Sequence, residues 1–155
     1  MSGAIEFSRL SRFLDGFGAQ GSVSRSQYKL KPAAASVIPV LPGFSKWVYD
    51  LTGYYEKNGF QARAAYRHRD KFQGEVVALF TNLGFSLIQP DTQLDAQIGY
   101  TFQPGSRLNG LGILLQCSNV LNSPYRTYYA VNKVPTLEQV EKYGRSWLLG
   151  ASYHF

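Results

Sequence analysis

The stretch Trp147-Leu148-Leu149-Gly150-Ala151-Ser152-Tyr153-His154-Phe155 alternates large apolar side chains with small or polar ones and stops on an aromatic residue. Successive side chains of a β-strand point to opposite faces, so one face of this stretch would be apolar and the other mostly polar. An exposed aromatic at the end of a soluble sheet edge invites aggregation unless lipid or a partner covers it. The stretch therefore predicts the last strand of a membrane β-barrel, with one face toward lipid and the other toward water.

The same period of two recurs in three earlier segments, at 47–55, 60–69 and 94–102. Aromatic residues stand near the ends of the apolar faces, as Trp47 and Tyr55 do, where membrane barrels carry girdles of Trp and Tyr. A soluble sandwich with its polar face outward gives the same alternation, and the aromatics could then be ordinary core residues. Alternation alone predicts a sheet with one apolar face but does not say what covers that face.

The lengths of the connections give an independent indication of architecture. Strands are expected at 3–12, 17–28, 45–56, 59–69, 92–103, 109–119 and 143–155. The connections between them are in turn short and long, as in outer-membrane barrels, which have short periplasmic turns and long outer loops. We therefore expect an all-β, antiparallel up-and-down transmembrane β-barrel segment of about seven strands, with its long connections outside.

The residue types in the connections fit this division into short turns and long loops. Residues that favour tight turns stand in the short ones, at Asp15-Gly16, Lys57-Asn58-Gly59 and 104–110. The long ones span 29–44, 70–91 and 120–142. The last of these contains a predicted short helix near Leu137 to Lys142.

Composition limits the other classes of protein. No run approaches the roughly 20 apolar residues of a transmembrane helix, and the mean hydropathy of −0.20 carries little information because a barrel places its apolar residues at alternate positions. Cys117 is the only cysteine, which forbids an internal disulfide and indicates a buried or lipid-facing hydrophobe.

An odd number of strands predicts an incomplete barrel. Single-chain bacterial barrels close with an even number, and an open sheet edge cannot lie in hydrocarbon. Glu6, Arg9, Arg12 and Asp15 interrupt any apolar core of an export signal in the first twenty residues. We expect further strands and an export signal to precede Met1.

Several segments, in their order and spacing, resemble TonB-dependent outer-membrane receptors. They are Leu-Pro-Gly-Phe-Ser-Lys at 41–46, Leu-Thr-Gly-Tyr-Tyr-Glu-Lys-Asn-Gly-Phe-Gln-Ala-Arg at 51–63, Tyr-Arg-His-Arg at 66–69, Leu-Asp-Ala-Gln-Ile-Gly-Tyr at 94–100, Ser-Asn-Val-Leu-Asn-Ser-Pro-Tyr-Arg at 118–126, and Tyr-Gly-Arg at 143–145 leading to Phe155. The resemblance covers nearly the whole chain and is weakest in the first 40 residues.

The resemblance implies a plugged barrel of about 22 strands in the cell outer membrane, which binds a nutrient such as a siderophore or carbohydrate outside and imports it with energy from TonB. Residues 1–155 would be the carboxyl-terminal portion of that barrel; neither the family's plug nor its TonB-contacting box matches any residue here. The implied partners are outer-membrane lipid, the barrel-assembly machinery, the remainder of the receptor with its plug and earlier strands, TonB through that missing part, and a small-molecule nutrient.

The resemblance also implies an assembly signal at the end of the last strand. Its residues here are Gly150, Tyr153 and Phe155, although Leu148 stands where the family usually has a polar residue. An edge strand is a template for strand addition by an assembly factor. Tyr153 and Phe155 could also be girdle aromatics at the periplasmic interface, and both roles are compatible.

Two groups of residues are candidates for contact with a ligand or with the plug. Arg63, Arg67 and Arg69, with Lys71, form a basic stripe that could attract an anionic ligand, or could pair with carboxylates of the plug or with Asp50 and Asp95. Tyr125, Tyr128 and Tyr129, in the last long connection, could stack on a ligand or simply pack the loop.

Enzymatic and nucleic-acid functions find no support in the sequence. His68 and His154 are isolated, and no carboxylate pair, phosphate-binding loop or metal-ligand cluster is present. The net charge of +6 is spread over many strands without a nucleic-acid-binding motif. We expect no enzymatic activity, no cofactor and no nucleic acid. The alternatives to a transport receptor are a porin-like or other outer-membrane barrel segment and a soluble β-sheet binding module.

Overall fold

The computed structural model describes residues 1–6, 15–27, 42–77, 83–131 and 134–154. These residues form eleven β-strands. The strands are β1 Ser2–Glu6, β2 Phe17–Arg25, β3 Trp47–Lys57, β4 Phe60–Arg69, β5 Phe72–Val77, β6 Leu83–Ile88, β7 Asp91–Thr101, β8 Leu111–Ser118, β9 Tyr125–Val131, β10 Val134–Glu141 and β11 Ser146–Tyr153. The all-β prediction is confirmed. None of the described segments forms a helix long and apolar enough to cross a membrane.

Seven strands form one antiparallel sheet in the order β1-β2-β3-β4-β7-β8-β11. They correspond to the seven expected strands, with ends that differ by up to three residues where both are described. Residues 7–12 of the first expected strand lie outside the described residues. Within the described part, β1 pairs only with β2 and β11 only with β8, so the sheet is not closed there.

The tightest turn of this sheet joins β3 to β4 at Asn58-Gly59. Lys57 pairs directly with Phe60, so two residues make the connection. Their φ angles are 52° and 80°, which is the left-handed conformation that a two-residue hairpin requires and that Asn and Gly adopt at least cost. A side chain on Gly59 would also collide with the carbonyl oxygen of Thr101. This turn confirms the prediction made from Lys57-Asn58-Gly59.

The other four strands form a second antiparallel sheet, in the order β10-β9-β6-β5. Its strands come from the expected long connections 70–91 and 120–142, which are therefore not irregular loops. The two connections meet where β6 pairs with β9, with Leu87 opposite Tyr128. Most of the third long connection, 29–44, lies outside the described residues.

The short helix predicted near Leu137 to Lys142 is wrong. Residues Val134–Glu141 are strand β10, which pairs with β9 from Val134 opposite Val131 to Glu141 opposite Tyr125. This segment contains residues that also form helices, but its pairing with the tyrosine-rich strand β9 favours a strand. Strand formation depends on cross-strand contacts more than on intrinsic preference. Pro135 is tolerated because β10 is an edge strand of the second sheet.

The described residues contain almost no conventional core. Ile88 and Cys117 are the buried hydrophobic residues, and no large side chain is fully buried. Cys117 is 5% exposed and carries a free thiol, which agrees with its interpretation as a buried hydrophobe. The large sheet is therefore held by its hydrogen-bonded ladders and by contacts within each face, and no second layer packs on it in the described part.

Candidate functional site

The seven-stranded sheet has one continuous apolar face. Residues opposite each other in neighbouring strands point to the same side, and the registers of five strand pairs carry this face from β2 to β11. We call it the apolar face; its large side chains are Phe17, Val23, Trp47, Tyr49, Leu51, Tyr55, Phe60, Tyr66, Leu94, Ile98, Tyr100, Leu111, Ile113, Leu115, Trp147, Leu149 and Tyr153. Small residues such as Gly21, Gly53 and Ala64 lie among them.

The apolar face is exposed. Leu149 is 74% exposed, Leu51 57% and Ile98 47%, and no described element covers them. Exposing a large apolar side chain costs about 1.5–3 kcal/mol relative to burying it, and contiguous patches of this extent mark a surface that binds a partner or lipid. The sheet therefore presents a surface that requires an apolar environment.

Aromatic residues lie in two rows at opposite ends of the apolar face. One row, near the short turns, has Phe17 and Tyr55 with ring centroids 4.4 Å apart and Tyr100 against Phe102 at 5.1 Å. The other row, near the long connections, has Trp47 stacked on Tyr49 at 5.9 Å. Aliphatic and small residues fill the space between the rows.

The opposite face is polar. We call it the polar face; its residues include Ser22, Asp50, Thr52, Tyr54, Gln61, Arg63, Arg67, Gln93, Asp95, Gln97, Thr101, Gln116 and Ser152. Val48, Leu114 and Leu148 are the large aliphatic exceptions. Leu148 is 59% exposed and stands opposite Gln116. It occupies the position where the resemblance predicts a polar residue.

The three arginines of the basic stripe lie on the polar face of β4, as the alternation predicts, but their surroundings differ. Arg67 donates to Gln93 Oε1 at 2.6 Å. Arg63 is exposed and makes no hydrogen bond or ion pair with another described residue. Arg63 is thus a member of the stripe whose charge is available to a ligand or to another part of the protein.

Asp50 and Asp95 do not pair with the arginines in the described part of the chain. Asp50 stands opposite Arg67 but accepts a hydrogen bond from Ser22 Oγ at 3.1 Å. Asp95 accepts one from the backbone N–H of Asn119 at 2.9 Å. No arginine pairs with Asp50 or Asp95 among the described residues, and pairing of the arginines with plug carboxylates stays a prediction.

Arg69 holds the segment that leads into β3. Its Nε donates to the hydroxyl of buried Ser45 at 2.7 Å, and its guanidinium donates to the carbonyl of Gly43 at 2.6 Å. The guanidinium carbon lies 3.8 Å from the ring centroid of Phe72, so three segments meet at one side chain. These contacts give Arg69 a structural role and leave fewer of its hydrogen-bond donors for a ligand.

We expect Arg69→Met to lower the free energy of unfolding by about 1.5–3 kcal/mol, because hydrogen bonds from a charged donor are lost and Ser45 keeps a buried hydroxyl. Arg63→Met removes the same group from the same face of the same strand without losing a described contact, and should change stability by less than about 0.5 kcal/mol. Urea unfolding of both variants in detergent micelles measures the difference. Equal losses in the two variants would contradict the structural role of Arg69.

The three candidate tyrosines lie on β9 of the second sheet. Tyr125 stands opposite Glu141 and Tyr128 opposite Leu137. Their positions differ by three, an odd number, so Tyr125 and Tyr128 point to opposite faces of the strand. For Tyr129 the backbone position is described, opposite Thr136 and Ser86. A ligand on one face of the second sheet would therefore meet one of Tyr125 and Tyr128, and stacking of the tyrosines on a ligand stays a prediction.

A corner at Asn119 ties the last long connection to the start of β11, and the sequence did not single it out as a site. Asn119 has a φ of 54°, and its Nδ2 donates to the carbonyls of Gly144 at 2.9 Å and Ser123 at 3.4 Å. Its Oδ1 accepts from the backbone N–H of Ser123 at 3.0 Å. Arg145 Nε donates to the carbonyl of Val120 at 2.9 Å, so the corner fixes both flanks of the connection.

The residues of the expected assembly signal lie at the end of β11. Gly150 is on the polar face opposite Leu114, and Tyr153 is on the apolar face opposite Leu111. Tyr153 is 56% exposed and belongs to the aromatic row near the short turns. Phe155 lies outside the described residues.

In the described ranges, no group of three or more His, Cys, Asp or Glu side chains could hold a metal ion. His68 has ordinary partners: its Nδ1 lies 2.7 Å from Thr92 Oγ1 and its Nε2 3.6 Å from Asp70. No protein-family model, curated protein or solved structure matches the chain.

Proposed function

We propose that residues 1–155 form the carboxyl-terminal portion of a TonB-dependent receptor barrel in the cell outer membrane. The complete barrel would bind a nutrient such as a siderophore or carbohydrate outside and import it with energy from TonB. The observation that carries the membrane part of this proposal is the continuous, uncovered apolar face bounded by two aromatic rows. The transport part rests on the resemblance of the sequence segments to that family.

The dimensions of the apolar face support a membrane environment. Strands β3, β4 and β7 have 11, 10 and 11 residues, and a tilted transmembrane strand needs about 9–11. The eight residue steps from Trp47 to Tyr55 cover about 26 Å along the strand, or about 20 Å across the membrane at a 40° tilt. The apolar band of outer-membrane barrels is of this size, about 25 Å tall.

The second sheet supports the orientation. It is built from connections at the end of the large sheet opposite the Asn58-Gly59 turn. Outer-membrane barrels carry their long connections outside and short turns in the periplasm. Tyr125, Tyr128 and Tyr129 would then be on the outer side, where a nutrient is first met, and Arg63 would face the barrel interior.

The direction of the edge strands limits what can complete the barrel. All neighbouring strands of the seven-stranded sheet are antiparallel, so β1 and β11 run in the same direction. If β1 paired directly with β11 of the same chain, the two strands would be parallel. The same would hold if β1 of one copy paired with β11 of a second copy around one barrel axis. Antiparallel closure requires an odd number of further strands, and a barrel of about 22 strands leaves an odd remainder.

Cysteine labelling tests the membrane part. In a Cys117→Ala background, we expect Gln97→Cys to react with a water-soluble maleimide in vesicles and its neighbour Ile98→Cys to react on the order of tenfold more slowly, because lipid covers only the apolar face. Both should react after unfolding in urea, which is the control for reactivity. Equal labelling of the two positions in folded protein without lipid would instead support a soluble β-sheet binding module.

The coding DNA upstream of Met1 tests the transport part. We expect a plug, further strands and an export signal there, in frame or across one frameshift. Further strands without a plug would favour a porin-like or other outer-membrane barrel. No coding sequence for strands upstream would overturn the transport proposal while leaving the labelling result intact.

A further inference from the structure

The apolar face is not smooth, and one groove lies in its half nearest the long connections. The groove is open to the surroundings and has a volume of about 510 Å³. Gly21, Val23, Tyr49, Leu51, Tyr66 and His68 of the apolar face line it, together with Ser22 and Asp50, whose side chains belong to the polar face.

Glycine at position 21 creates the floor of this groove. A side chain there would project into the groove, with its first carbon 3.5 Å from Leu51 Cδ1. That distance is ordinary van der Waals contact, so a larger residue would fill the groove without a backbone clash. The groove is therefore a consequence of one missing side chain among large neighbours.

A cation stands at the outer end of the groove. Arg25 lies two residues beyond Val23 on the same face of β2, about 7 Å along the strand, and its guanidinium carbon is 5.1 Å from the ring centroid of Trp47. The nearest described group to accept from it is the neutral amide of Gln27, turned so that its oxygen faces Nε at 3.3 Å. The carboxylate of Asp70 on this side faces His68 at 3.6 Å.

The short-turn end of the apolar face has a different charge pattern. Lys57 is the cation there, and it forms an ion pair with Asp15 at 3.2 Å. Arg25 has no such carboxylate among the described residues. An uncompensated cation at the level of the lipid headgroups attracts anionic lipid, by about 1 kcal/mol for each Lys or Arg.

We propose that this groove binds one acyl chain of a membrane lipid whose phosphate contacts Arg25. The acyl chain occupies the space above Gly21, between Tyr49 and Tyr66, and the phosphate accepts hydrogen bonds from the guanidinium that Trp47 holds in place. The inference rests on the proposed membrane location and adds to it a specific lipid site on the outer half of the barrel wall.

Quenching by brominated lipid tests the site in the full chain. With Trp147→Phe, Trp47 becomes the single tryptophan, and it is titrated in phosphatidylcholine vesicles with brominated-chain phosphatidylglycerol or brominated-chain phosphatidylcholine at equal mole fractions. We expect an about fivefold preference for the anionic lipid. Arg25→Gln should abolish the preference, and Gly21→Leu should reduce quenching by both lipids because the groove is filled.

Controls separate the site from general attraction to a charged membrane. Arg107→Gln removes an exposed arginine from the connection between β7 and β8, at the other end of the sheet, and should keep the preference. A chain with Trp47→Phe reports on Trp147, far from the groove, and its quenching should not change with Arg25→Gln. An equal effect of Arg25→Gln and Arg107→Gln would overturn the site.

The remaining outcomes are also decisive. If excess inorganic phosphate removed the preference of Trp47 quenching for the anionic lipid, this would indicate that Arg25 binds a free anion. That result would overturn the lipid proposal. Quenching of Trp47 by both lipids without preference would overturn the lipid site but leave the membrane proposal standing. No quenching of either tryptophan by either lipid would overturn both.

Discussion

We expect Leu115→Arg to prevent insertion of the chain into lipid vesicles and Gln116→Arg, one residue along the same strand, to leave insertion intact, if the apolar face contacts lipid as proposed. Leu115 lies in the middle of the apolar face, opposite Ile98 and Leu149. Arginine on the lipid face near the bilayer midplane costs about 2–4 kcal/mol. Gln116 lies on the polar face opposite Gln97 and Leu148, where an added arginine keeps its contact with water.

Flotation of the chain with vesicles on a density gradient, followed by protease treatment, measures the two variants against the parent. The comparison is matched, because both substitutions add the same side chain to adjacent residues of β8 and differ only in the face that receives it. Equal loss of insertion in both variants would indicate a general folding defect. Unchanged insertion of Leu115→Arg would contradict contact between the apolar face and lipid.

The strands of the large sheet could be predicted because their signal is local. In β3, β4, β7 and β11 the two faces differ so strongly that the alternation shows in the sequence, and shifting the register by one residue would reverse every side chain. Turn residues such as Asn58 and Gly59 marked the hairpin ends. The second sheet had no such signal, because β10 consists of residues that also form helices and becomes a strand only through its pairing with β9.

For the candidate residues, too, the sequence predicted local features but not contacts with distant segments. Alternation placed Arg63, Arg67 and Arg69 on one face, but their partners could not be read from it. Arg69 contacts Ser45, 24 residues earlier in the chain, and this approach depends on how the segment before β3 folds back. Asn119 contacts Gly144, 25 residues later; the only local hint was that asparagine tolerates a positive φ.

We expect Asn119→Ala to lower the free energy of unfolding by about 2–5 kcal/mol, which is the second large effect. Alanine in the left-handed conformation costs about 1–2 kcal/mol, and the hydrogen bonds to Ser123 and Gly144 contribute about 0.5–1.5 kcal/mol each. The corner would then release the start of β11, next to Trp147. Urea unfolding in detergent micelles, followed by tryptophan fluorescence, measures the loss.

Asn122 provides the matched control, because the two asparagines share the same φ of 54° but differ in what their side chains do. Asn122 is exposed, and its backbone N–H donates to the carbonyl of Asn119 at 2.8 Å, while its side chain makes no hydrogen bond with the described residues. Asn122→Ala should therefore cost only the backbone component, about 1–2 kcal/mol. The difference between the two variants measures the side-chain network of Asn119. If both variants lose the same stability, the network contributes nothing, and the corner is held by backbone conformation alone.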